Sequence, residues 1–158
     1  MHLVTASQDP SDTDLAPVLI PALLKTAKLV RAVMSMHLSE LGLQTGQDEV
    51  LLAFEKARPM SPHQLAEKLG IRFDTAAKLL ARLVHQRLAM RVENMIDARS
   101  MVVVITASGL ELQHRLRTML SRIDQDLLAT MDLASAQATS SEVALLSTRL
   151  AELLTPYR

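Results

Sequence analysis

The chain has 158 residues, with 17 Lys plus Arg against 17 Asp plus Glu, and no cysteine. That length suits one domain with a core, or a small domain plus an association layer. Zero net charge gives the whole chain no basic footprint, and the missing thiols exclude a disulfide framework, a thiolate metal site and a cysteine redox switch.

No apolar run nears the roughly 20 residues that a membrane span needs. The first residues lack the basic start and apolar stretch of a signal peptide, so a cytoplasmic location and no membrane partner are expected. With Phe54, Phe73 and Tyr157 as the aromatic residues, a base-stacking platform for single strands is not expected.

Taken in order, residues 1–12 are polar and carry no period, which predicts a flexible tail. Pro17 and Pro21 frame the start of a helix in which Leu24, Ala27, Val30, Met34, Leu38 and Leu41 recur at helical spacing. Its apolar face is wide, and a long apolar helix outside a compact motif needs a partner. Gly42 ends it. Thr45, with Asp48 three residues on, predicts the next N-terminus. Val50, Leu51, Phe54 and Ala57 form that helix's stripe, and Met60 can pair as a minimal strand.

Residues 61–106 hold the densest set of signals. Ser61 can cap a helix, Pro62 suits its first position, and Gln64 can close a capping box with Ser61. Leu65, Ala66 and Leu69 share a face, and Gly70 can take the left-handed conformation that stops the helix. After the short turn GIRF a second helix starts, capped by Asp74 or a neighbour. Ala76, Leu79, Leu80, Leu83 and Val84 make its buried stripe, while Thr75, Lys78 and Arg82 lie largely on another face. Two short helices joined by such a turn make a helix-turn-helix, whose second helix enters the major groove.

A hairpin follows. Residues 88–93 predict one strand, and the β-branched run MVVVI at 101–105 predicts the other. The polar segment between them carries Asp97 and Arg99 near its tip. A hairpin after a helix-turn-helix is a wing; Arg99 there can reach a narrow minor groove, and Asp97 can hold it by a charge-assisted bond. Thr106 then caps a long helix with Leu110, Leu112, Leu116, Met119, Leu120 and Ile123 on its apolar side. ASAQATSS reads as a linker, and Ser140 or Ser141 as the start of a last helix through Leu145, Leu150 and Leu154.

These residues carry a resemblance. SPHQLAEKLGI, TAAKLLARL, the exit QRLAMR, the wing's DAR and the following ITASG resemble the winged helix-turn-helix of the multiple-antibiotic-resistance regulator (MarR) family. The resemblance extends over nearly the whole chain, because long helices flank the motif on both sides. It implies a mainly α fold with a small β-hairpin wing, a winged helix-turn-helix core and flanking dimerisation helices. On that reading residues 1–12 are the tail, 13–43 the N-terminal dimerisation helix, 44–106 the DNA-binding domain and 107–158 the C-terminal dimerisation helices.

The resemblance implies a homodimer on a pseudo-palindromic double-stranded DNA operator, usually a repressor, and in many members released by a small-molecule effector. A two-fold dimer would bury leucine stripes that a monomer exposes. Two departures stand out. The family usually has Gly where Arg87 stands, and often has hydroxyl residues around Ala76 and Ala77, so base readout here leans on Arg72, Lys78 and apolar contact with thymine methyls.

The residues expected at DNA are Ser61, His63, Arg72, Thr75, Lys78, Arg82, Asp97 and Arg99. From 58 to 99 eight basic side chains face four acidic ones, a local net of +4, as expected where one part of the chain meets phosphate. Met34, His37, Phe54 and Met119 are the candidates for an effector pocket. None of the five histidines has a paired metal-ligand spacing, so no metal and no cofactor is expected. There is no phosphate loop, no serine elbow and no evident acid pair, so no enzyme is expected. The alternative is a protein-interaction module with a winged-helix fold that does not bind DNA. Zero net charge and Ala76–Ala77 favour it; Arg72, Lys78 and Arg99 oppose it.

Overall fold

The computed structural model describes residues 19–55, 58–93 and 101–155. They fall in two compact units, divided between Thr45 and Gly46. Most described residues are helical, with one two-stranded antiparallel sheet. No described helix is long and apolar enough to cross a membrane.

The first unit is α1 (Leu19–Glu40) and its exit. Gly42 stops the helix at φ 71°, and the amide of Leu43 folds back to the Leu38 carbonyl at 2.8 Å. Leu38 and Leu43 are buried, whereas Leu24, Leu29 and Met36 are 57–64% exposed.

The second unit starts with α2 (Gln47–Ala53). The sequence predicted Thr45 as its cap; the N-cap is Gly46, at φ 89° with no side-chain cap bond. Asp48 instead turns back and accepts from the Gly46 amide at 2.8 Å. A glycine holds the left-handed conformation here without the penalty that Cβ brings.

Next, α3 (Pro62–Leu69) carries the full capping box: Ser61 Oγ accepts from the Gln64 amide, and Gln64 Oε1 accepts from the Ser61 amide. Gly70 at φ 63° closes it. In α4 (Phe73–His85) the N-cap is Arg72, not Asp74, and no side chain caps it. Asp74 lies in the first turn, where a carboxylate still favours the helix dipole.

The sheet pairs β1 (Ala89–Glu93) with β2 (Met101–Ile105), in register from Ala89↔Ile105 to Glu93↔Met101. Met60 adds the expected bridge, exchanging both backbone bonds with Val103 at 2.8 and 2.9 Å. Then α5 (Ala107–Leu128) is capped by Thr106, whose Oγ1 accepts from the Gly109 amide. Helices α2, α3 and α4 pack on one another, β1 packs on α4, and α5 on α2. Val50, Leu51, Phe54, Leu65, Ala76, Leu80, Leu83 and Leu116 form the interior of this core.

Residues 134–141 (ASAQATSS) are not a linker. They lie inside α6 (Leu133–Leu154), whose cap is Asp132, accepting from the Ser135 amide. The hydroxyls of Thr139, Ser140 and Ser141 each donate to the carbonyl four residues back, so these polar side chains are satisfied within the helix. The three alanines favour it. No residue of α6 is buried.

One residue between α4 and β1 is strained. Arg87 sits at φ 59°, alone among described non-glycine residues. Its side chain is exposed, so glycine there removes the left-handed penalty and little packing. Arg87→Gly is expected to stabilise the fold by about 1 kcal/mol, raising the calorimetric Tm by roughly 2–4 °C. An unchanged or lower Tm would show that the strain is compensated in place.

Candidate nucleic-acid interface

The exposed face of α4 is set by the burial of its opposite face. Ala76, Leu80 and Leu83 are buried against the core, and Thr75, Lys78 and Arg82, at spacings of three and four, are exposed together on the other side. Arg72, just before the helix, is exposed as well. These four predicted contact residues form one polar, basic surface along the helix.

Charge on that surface is not all available. Arg72 Nε lies 3.3 Å from Asp74 Oδ1, with both side chains more than half exposed. Partial desolvation pushes the Asp74 carboxyl up. The Arg72 hydrogen bond and charge, the Thr75 amide and the Lys78 charge outweigh it, and hold that carboxyl below the usual range. Asp74 thus stays ionised and tempers the positive end of the helix.

Ser61 and His63 sit at the start of α3. Ser61 Oγ is occupied as an acceptor by the capping box, which leaves its hydrogen to donate. His63 is exposed and packs against Phe73, with ring centroids 4.4 Å apart and planes tilted by 38°. Sequence reasoning treated Phe73 only as one of few aromatics; the signal that could have found it is a large apolar residue at the leading end of the second helix. Asp97 and Arg99 lie outside the described residues.

The effector candidates divide between the two units, Met34 and His37 in the first, Phe54 and Met119 in the second. His37 is half-buried, with Nδ1 3.6 Å from Glu40. Phe54 is 1% exposed. It edges an open cleft of about 1000 Å³ in the second unit, with Leu52, Glu55, Arg58, Lys68, Leu110, Gln113 and Arg117. Sequence reasoning did not single out Lys68. Its Nζ donates to Glu55 at 2.6 Å and to the Ala53 carbonyl at 3.0 Å, and this bond and charge hold the Glu55 carboxyl below its ordinary value.

No protein-family model matches the sequence, and no curated protein matches it. Solved structures do. The chain is 15% identical to a MarR protein from Peptoclostridium difficile over 98% of this chain and 100% of that one, with a TM-score of 0.77. It is 16% identical to FabT of Streptococcus pneumoniae, solved in complex with DNA, over 85% and 96%, TM-score 0.73. The MepR–DNA complex of S. aureus gives 14% identity over 82% and 94%, TM-score 0.65. At such identities the likeness speaks for the fold alone: this chain has the winged-helix fold of the MarR-family transcriptional regulators.

Proposed function

We propose that this protein is a dimeric, sequence-specific regulator of transcription that binds double-stranded DNA, acting as a repressor that a small-molecule effector releases. The observation that carries the reading is the joint exposure of Arg72, Thr75, Lys78 and Arg82 on the second helix of a helix-turn-helix. In that motif this helix lies in the major groove. Ser61 and His63, at an α3 N-terminus whose amides favour anions, serve phosphate. Arg99 reaches the minor groove with Asp97 steadying it.

A second copy of the chain is the partner. Leu24, Leu29 and Met36 on α1, Leu127 near the end of α5, and Leu133 and Leu153 on α6 are all more than half exposed, more apolar surface than a monomer usually leaves in water. Two-fold pairing along these helices would cover it and present two recognition helices roughly 34 Å apart, one turn of DNA. The effector would enter the second unit's cleft beside Phe54 and act by changing how the two subunits present those helices.

Selection of duplexes from a random pool tests the reading. A recovered palindrome with half-sites about 10 base pairs apart, whose affinity falls steeply with salt, supports it. Weak, sequence-blind binding would favour the interaction module instead. Lys78→Ala is expected to change which bases are selected; a uniform loss across sequences would make Lys78 a phosphate contact. Arg82→Ala is expected to weaken all sequences and reduce the salt slope by about one per site, and an unchanged slope would remove it from the phosphate set.

Association is tested separately. Sedimentation equilibrium of the wild-type chain is expected to give a dimer at micromolar concentration, and the double variant Leu24→Glu/Leu153→Glu a monomer that retains its helical circular dichroism. A wild-type monomer, or a variant that stays dimeric, overturns pairing through these helices.

A further inference from the structure

The molecule carries an exposed aromatic side chain that the basic face does not account for. Of its two phenylalanines, Phe54 is 1% exposed and fills the core; Phe73 is 48% exposed. Phe73 is the first residue of α4. By helical spacing it lies beside Leu80, at the edge of the buried stripe, and well round the helix from Thr75, Lys78 and Arg82; its ring faces His63 of α3, whose N-terminus carries the proposed phosphate contacts. His63 holds its ring there at 4.4 Å. That contact covers part of the ring and leaves about half the residue in water.

A lone exposed apolar residue needs no explanation by itself. The position of this one asks for more. It leads the helix whose first turn faces base edges in a helix-turn-helix. The neighbouring inward positions are Ala76 and Ala77, which offer DNA no polar contact. Arg72 and Asp74, the residues on either side, are tied to each other at 3.3 Å. A ring between them, presented from the flank and restrained by His63, is suited to one chemistry in the major groove, the C5-methyl group of thymine, which is the apolar feature a base pair offers there.

We propose that Phe73 is a specificity-determining residue that selects thymine in each half-site through contact with its methyl group. The inference rests on the DNA-binding reading above. Burial of one methyl against the ring corresponds to roughly a three- to fivefold preference per half-site, and roughly tenfold or more over a symmetric pair. Phe73 carries no charge, so the contact adds discrimination without adding to the salt dependence.

Uracil lacks only the methyl of thymine, so the test changes the DNA before it changes the protein. In the duplex selected by the wild-type protein, each thymine is replaced in turn by uracil and affinity is measured. One symmetric pair of positions is expected to lose roughly tenfold or more. Against Phe73→Ala the same replacement is expected to cost nothing, while the salt slope stays at the wild-type value, a double-mutant cycle between ring and methyl. Equal uracil costs in both proteins, or no sensitive thymine at all in a selected duplex, overturn the role of Phe73 and leave the regulator reading intact. Failure of the wild-type protein to select any duplex overturns both.

Discussion

The turn at Arg87–Leu88 is the constraint through which α4, the sheet and α5 are held together. Leu88 donates to the Leu83 carbonyl at 2.9 Å and accepts from the Thr106 amide at 3.0 Å, while Thr106 Oγ1 donates to the Arg87 carbonyl at 2.8 Å. Gly109 completes the joint. A Cβ there would collide with the Leu88 carbonyl oxygen and crowd the Ile105 side chain, so the first turn of α5 lies directly against the α4–β1 link. The last turn of α4, the outer pair of the sheet and the start of α5 therefore meet at one point. Arg87 bears a left-handed φ because that is how the chain leaves α4 and still delivers the Leu88 carbonyl to Thr106. Strain of this kind persists only where the surroundings over-determine the geometry, and three hydrogen bonds plus a glycine contact do so.

A second set of polar bonds fixes α2, which has only seven residues and is far below the length at which an isolated helix holds itself. Its last carbonyls would lack partners. The buried Gln113 of α5 donates to the Leu51 and Phe54 carbonyls at 2.6 and 3.0 Å, and Lys68 of α3 donates to that of Ala53. At the other end, buried Gln47 donates to Gln86, the C-cap of α4, at 2.7 Å. So α2 is pinned by α3, the end of α4, and α5. Breaking such bonds would leave buried polar groups unmet, so these contacts fix where α2 sits among its neighbours.

Legibility in the sequence followed the range of the interactions. The capping box of Ser61 and Gln64, the left-handed stop at Gly70, the Thr106 cap and the β-branched strand at 101–105 depend on residues within a few positions of one another, and all appear in the structure. The misreadings also have local causes. Thr45 resembles a cap, but Gly46 supplies the conformation and Asp48 the bond. The Ser/Thr-rich stretch resembles a linker until its hydroxyls are seen bonding inside α6. What could not be read were the long-range placements: Lys68 on the carbonyl of Ala53, Gln113 on residues 59 and 62 positions away, and the ring of Phe73 against His63. None of these has a period or a spacing to announce it.

Neutrality of the chain bears on how the proposed interface would work. Non-specific affinity for DNA comes from phosphate neutralisation, and it grows with each free cation. Here Arg72 is already engaged by Asp74, but both side chains are more than half exposed and such a pair is held only loosely in water, so a phosphate could take Arg72 by displacing the carboxylate. Lys78 and Arg82 remain exposed beside it. On the proposed reading, discrimination would rest on Lys78 together with contacts that charge does not supply. On that reading Thr75 and the ring of Phe73, both exposed on α4, would be such contacts, while Ala76 is buried in the core. The acidic residue within the basic face thus lowers its local charge without closing Arg72 to phosphate.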